Sequence, residues 1–158
     1  MHWVLINKLT AAIQEFHLES NQGLQLVVKY NPLHRSIRLV TPLIQRLFFI
    51  ESAGSLHGKM LFLNEYGFES GQASYDAGIS QSGYVHIDGK RFHYQLELNE
   101  PESVCIIWDG QQKEKLGSCR IANQLDTKEH PLDWPCLIFA ACWSLSLPQT
   151  KQINPIQI

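Results

Sequence analysis

Along most of this chain apolar and polar residues alternate with a period of two, and near its end the alternation stops altogether. Period-two patterning sends successive side chains to opposite faces and marks a half-buried strand. It is clearest at 24–30, where Leu24, Leu26, Val28 and Tyr30 share a face, and at 13–19, where Phe16 and Leu18 oppose His17 and Glu19. Residues 1–9 alternate more loosely, and 34–40 turns Ile37 and Leu39 to the inner face. The stretch 43–51 is too apolar around Leu47-Phe48-Phe49-Ile50 for its faces to be assigned. Residues 58–63, 68–76, 104–108 and 116–121 read as further strands, while 77–83 is the most loop-like segment in the chain.

The sharpest local signal is Asp88-Gly89 between two alternating runs, which predicts a two-residue type I′ hairpin over 84–98. That register pairs Ile87 with Lys90, His86 with Arg91, Val85 with Phe92 and Tyr84 with His93. Val85, Ile87, Phe92, Tyr94, Leu96 and Leu98 then line the core face. Tyr84, His86, Arg91, His93, Gln95 and Glu97 line the solvent face.

The alternation ends at 133–147. Asp133 is placed as a helix N-cap, Pro135 fits a first turn where its missing N–H costs little, and Pro148 stops the run. From Cys136 to Trp143 every side chain is apolar, so this helix has no polar face and must be enclosed. Roughly 13 residues at about 1.5 Å each reach about 20 Å, short of the roughly 30 Å core of a bilayer. Protein therefore encloses it. With about eleven short strands before it, the expectation is an all-β fold: a closed antiparallel β-barrel of about 11–12 strands around a buried hydrophobic C-terminal helix. No repeat or linker divides the chain, so 1–148 is expected to form one domain, followed by a loosely held tail at 149–158.

Composition narrows the function classes. A net charge of −2 argues against a protein built mainly to hold nucleic acid or anionic membrane. The N-terminus lacks a basic start, a long apolar centre and a small-residue cleavage site, so no secretory signal is expected. Cys105, Cys119, Cys136 and Cys142 show no Cys-x-x-Cys spacing and read as buried free thiols in a reducing, cytoplasmic setting.

Meandering strands closed by one hydrophobic helix, with the turn pattern at Arg46-Leu47-Phe48-Phe49-Ile50-Glu51-Ser52-Ala53-Gly54 and the hairpin at Ile87-Asp88-Gly89-Lys90, resemble the tubby C-terminal-like superfamily. That superfamily includes tubby-like domains, the LURP-one-related proteins and the phospholipid scramblases. The resemblance implies a barrel of about twelve antiparallel strands threaded by the helix. It also implies phosphoinositide binding through paired basic residues on neighbouring strands. Arg35 and Arg38 do not supply such a pair, because their parity points them to opposite faces of an ideal strand.

No phosphate loop, dinucleotide fingerprint, nucleophile elbow or zinc-helix motif is present. Of seven histidines only His86 and His93 fall close together, and Arg91 between them disfavours a bound cation, so no metal is expected. Glu65, Glu69, Asp76 and Asp109 fall at turns or strand ends and read as solvated carboxylates. Lys29, Arg35, Arg38 and Arg46 form the candidate anion site, weighed against an ordinary basic barrel exterior. Trp134 and Trp143 read as core. The leading function is a non-catalytic binding or interaction module, without cofactor, that recognises phospholipid headgroups or a protein partner. The alternatives are a lipocalin-like carrier with an open cavity and an enzyme of unannounced type. Helix placement separates the carrier from the rest, since a helix inside the barrel leaves little room for a ligand.

Overall fold

In the computed structural model of the chain, residues 1–7, 12–53, 58–76, 79–99, 102–122 and 133–147 are described. The strands are β1 (His2–Leu5), β2 (Gln14–Ser20), β3 (Gly23–Asn31), β4 (Ser36–Val40), β5 (Gln45–Ala53) and β6 (Lys59–Asn64). They continue as β7 (Glu69–Asp76), β8 (Ile79–Ile87), β9 (Lys90–Glu97), β10 (Glu102–Asp109) and β11 (Lys115–Ala122), before helix α1 (Asp133–Ser146). Each strand pairs with its neighbours in sequence, and β1 closes the barrel against β11. An odd number of strands in a meander leaves the first and last running the same way. The closing pair is accordingly parallel, with His2 opposite Arg120 and Trp3 opposite Ile121. Eleven strands with one parallel seam stand where the family resemblance implied about twelve antiparallel ones.

The expected face assignments hold along the middle of the strands. Phe16, Leu18, Leu26, Val28, Ile37, Leu39, Val85, Ile87, Phe92 and Tyr94 are buried in one core. Asp88 and Gly89 take φ of 46° and 77°, both positive as the type I′ turn requires. Four expectations need correction. Residues 79–83 belong to β8 and are not a loop, because Gly83 sits where an added Cβ would collide with the Ser74 carbonyl and the Tyr94 hydroxyl. Gly83 thus answers a close approach between strands rather than a turn. Leu98 is 54% exposed because β9 ends at Glu97, beyond the reach of the core. His93 faces outward as expected but is only 9% exposed, covered by the edge of the Tyr84 ring at 5.0 Å. His34 and Arg35 precede β4 in a turn, Arg35 with φ of 45°. Residues 8 and 9 of the expected first strand, Pro148 and the tail at 149–158 lie outside the described residues.

An eight-stranded barrel is filled by its own side chains, whereas eleven strands leave a lumen that an α-helix about 10 Å across can occupy. Every residue of α1 from Cys136 to Trp143 is at most 2% exposed. Within the helix Ser144 and Ser146 donate back to the Ala141 and Trp143 carbonyls at 2.7 Å, while Trp143 Nε1 is buried without a hydrogen-bond partner among the described residues. At the far end Lys90 Nζ, from the first residue of β9, donates to the Ser146 carbonyl at 2.8 Å. A cation on the last carbonyls complements the helix dipole. Phe139 stacks on Phe62 at 3.7 Å between centroids and meets Phe48 edge-on at 5.1 Å. All four cysteines are buried free thiols, with Cys105 and Cys119 directly opposite on β10 and β11.

Candidate functional site

With the lumen filled by the helix, the clefts among the described residues lie on the outer surface. Its most organised polar region lies on β7, β8 and β9, whose registers align two rungs. One rung carries Gln72, His86 and Arg91 and the next Ser74, Tyr84 and His93, each residue directly opposite its neighbour. Outward side chains two residues apart on one strand share a face, so the rungs form a grid of polar groups. Gln72, Ser74, Tyr84, His86 and Arg91 line a shallow cleft of about 340 Å³.

The grid is held from below and from one side. The Tyr84 ring lies edge-on to His93 at 5.0 Å, and its hydroxyl accepts from Gln112 Nε2 at 2.8 Å. Gln112 reaches it from the β10–β11 turn with φ of 57°. The Arg91 guanidinium then lies 3.9 Å from the centre of the Tyr84 ring. Stacking fixes a guanidinium while leaving its N–H edge available. Ser74 Oγ makes only a long contact, 3.5 Å, to the Tyr84 carbonyl. Gln72 Oε1 is buried without a hydrogen-bond partner among the described residues. On the other side of His86 a second cleft of about 330 Å³ is lined by Glu69 and Asp88.

The four basic residues of the candidate anion site are not brought to one place. Lys29 and Arg38 stand directly opposite each other on the outside of β3 and β4. Lys29 is paired with Glu15 at 3.1 Å, and Glu15 also meets His17 at 2.9 Å. These contacts, His17 first and then Lys29, hold the Glu15 carboxyl below its ordinary range. Arg35 reaches Ser52 Oγ from the β3–β4 turn at 2.9 Å. Arg46 has the parity of the inward Phe48 and lies 5.1 Å from the centre of its ring, at the mouth of the barrel. Among the carboxylates, Asp109 accepts the backbone N–H groups of Lys113 and Glu114 at 2.6 and 3.1 Å and serves its turn. Glu65 and Glu69 line separate surface clefts, and the Asp76 side chain lies outside the described groups. Among the described residues no three His, Cys, Asp or Glu side chains are placed to share a metal ion.

A second surface feature is apolar. The turns β2–β3, β4–β5, β6–β7, β8–β9 and β10–β11 all lie at the end where α1 finishes. Tyr66 and Phe68 there are 77% and 70% exposed and Leu43 is 75% exposed, with Leu24, Ile44 and Leu116 also at the surface, while among the described residues the opposite end exposes Leu33, Ile6, Ile13 and Leu98 without an aromatic ring. No helix among the described residues is long and apolar enough to cross a membrane. Sequence reasoning missed this end because turn residues were read for turn chemistry, although Tyr66 and Phe68 flanking Gly67 were visible. Compared with known proteins, the chain matches no family model, no curated protein and no solved structure.

Proposed function

We propose that this protein is a non-catalytic recognition module that holds its partners on the outside of a barrel whose inside is closed. The observation that supports this reading is the apolar helix in the lumen, with Phe139, Ala140, Cys142 and Trp143 fully buried against the wall. A carrier needs an enclosed ligand volume, and here side chains occupy it.

The partner at the apolar end is a protein. The turns there carry Glu65, Asp88 and Glu114 against Lys113, which disfavours an anionic membrane. Exposed Tyr, Phe and Leu of this kind are the residues that anchor protein interfaces. Lys29, Arg35, Arg38 and Arg46 are too scattered to act as one basic face for phospholipid headgroups.

Two measurements test the reading. A fluorescent fatty acid titrated into the protein should show no saturable uptake; one-to-one uptake quenched by Trp143 would make the protein a carrier. A photo-crosslinking residue at position 68 should give a discrete protein adduct in a lysate of the source cells. The same residue at position 98, exposed at the opposite end, should not. Equal labelling from both positions, or flotation with anionic vesicles at low salt that is lost at high salt, would refute the protein-partner assignment.

A further inference from the structure

We propose that the cleft on β7, β8 and β9 is a binding site for a small soluble molecule bearing a single anionic group, a phosphate monoester or a carboxylate, flanked by hydrogen-bond donors. This deepens the outer-wall reading above and rests on it. The cleft presents a guanidinium, an imidazole, a hydroxyl and a carboxamide, and among the described residues no carboxylate lines it. Arg91 has no ion pair among the described residues, so its charge is not already neutralised by a neighbouring carboxylate. Tyr84 is anchored by Gln112, so Arg91 meets a ligand already ordered and loses little freedom on binding. A planar guanidinium with a free edge matches two oxygens of a carboxylate or phosphate.

His86 stands directly across the strands from both Arg91 and Gln72. An anion held by the Arg91 guanidinium would lie beside the His86 ring, whose N–H can donate to it. The same juxtaposition works against a metal ion. Gln72 lines the cleft with Arg91 and His86, and its carboxamide is the group there suited to a polar substituent beside the anionic group. Glu69 and Asp88 in the adjoining cleft set the limit on the ligand's far side, where further negative charge would be repelled and an ammonium or hydroxyl accepted. Polyphosphates and nucleic acid are thereby disfavoured, and a compact anion with a donor a few bonds away is preferred.

The test is two-dimensional NMR of the full chain titrated with phosphoethanolamine, inorganic phosphate, acetate and chloride, each to about 10 mM. Phosphoethanolamine should shift resonances of Tyr84, His86 and Arg91 in a saturable way. Inorganic phosphate should bind more weakly, and chloride should give no saturable shift. Stronger binding of acetate than of phosphate would assign the site to carboxylates. Arg91→Ala should lose at least about tenfold in affinity, and Arg91→Lys most of that, because Lys restores charge but not the stacked fork. Gln72→Leu should weaken phosphoethanolamine more than inorganic phosphate, in a protein that melts at or above the temperature of the parent. Equal non-saturating shifts with all four salts, or affinity unaffected by Arg91→Ala in a normally melting protein, would overturn the proposal. Crosslinking from position 68 is independent of these changes. If it survives while the cleft stays silent, only the cleft assignment falls.

Discussion

Truncating Phe139 probes whether the helix truly fills the barrel. The ring is fully buried, 3.7 Å from the Phe62 ring at 11° and 5.1 Å from Phe48 at 80°. On the facing wall is Gly71, where an added Cβ would stand 3.0 Å from Phe139 Cε2. The ring thus occupies space that β7 leaves open. Phe139→Ala forfeits about 2–3 kcal/mol of apolar burial and two aromatic contacts of about 0.5–1.5 kcal/mol each. The void cannot collapse, since the helix is confined by strands and the strands are fixed by their hydrogen bonds. The loss should reach the upper part of the usual range for such truncations, about 4–5 kcal/mol. Against a total stability of about 5–15 kcal/mol, that leaves the variant near its folding threshold. Phe139→Leu, which keeps most of the volume, should cost only about 1–2 kcal/mol and permit a full urea titration. In a cycle between Phe139→Leu and Phe62→Leu the coupling should be about 0.5–1.5 kcal/mol. Phe68→Ala, an equal truncation of an exposed ring, should stay within about 0.5 kcal/mol of the parent. If Phe139→Ala and Phe68→Ala melt alike, the helix does not sit inside the barrel.

Other perturbations reach different parts of the structure. Ala140→Asp and Ala141→Asp should each cost several kcal/mol or abolish folding, because both positions are enclosed and an unpaired carboxylate has no partner there; a soluble, cooperatively melting form of either would contradict full enclosure. At the hairpin, Gly89→Val should lower stability by roughly 1 kcal/mol more than Gly89→Asn, since only the latter tolerates the positive φ, and equal melting temperatures would deny the turn shape. Burial pushes the Cys119 thiol up to about 11 and the Cys105 and Cys142 thiols higher still. Above about pH 9 the unfolded chain therefore gives up protons that the native one retains, and stability should fall as pH rises, by up to about 1.4 kcal/mol per unit for each thiol. Urea midpoints between pH 8 and about 10.5 should show that slope, and Cys105→Ala with Cys119→Ala should flatten it.

Much of the barrel was legible because its information is local. Alternation fixes which side chains of β2, β3, β4 and β9 turn inward, and a helix without a polar face demands an enclosure. Closure is a different matter. The seam joins His2 and Trp3 to Arg120 and Ile121, residues from opposite ends of the chain. Whether that seam is parallel depends on the strand count being odd or even. A count of eleven or twelve from periodicity leaves that open. The start of β8 failed for a related reason: Gly83 lies where the Ser74 carbonyl and Tyr94 hydroxyl approach too closely for a side chain, and a run of small residues has no alternation to read.

The polar cleft was half visible. The hairpin register already placed His86 beside Arg91 and Tyr84 beside His93, but not the third strand that makes a face into a site. Strand β7 is rich in small residues, so its register against β8 could not be read from its own pattern. The structure shows what sets it. Gly71 and Ala73 face the core and Gln72 faces out, with Phe139 packed into the space above Gly71. A slip of one residue would drive Gln72 into the apolar lumen and turn Gly71 and Ala73 to solvent. A buried carboxamide with no partner costs about 1–3 kcal/mol, on top of its clash with the Phe139 ring. The contact that seats the helix is therefore the contact that holds Gln72 opposite His86. In Phe139→Leu, ligand shifts at His86 and Arg91 should weaken together with the core, even though the substituted ring lies on the other side of the sheet from the cleft.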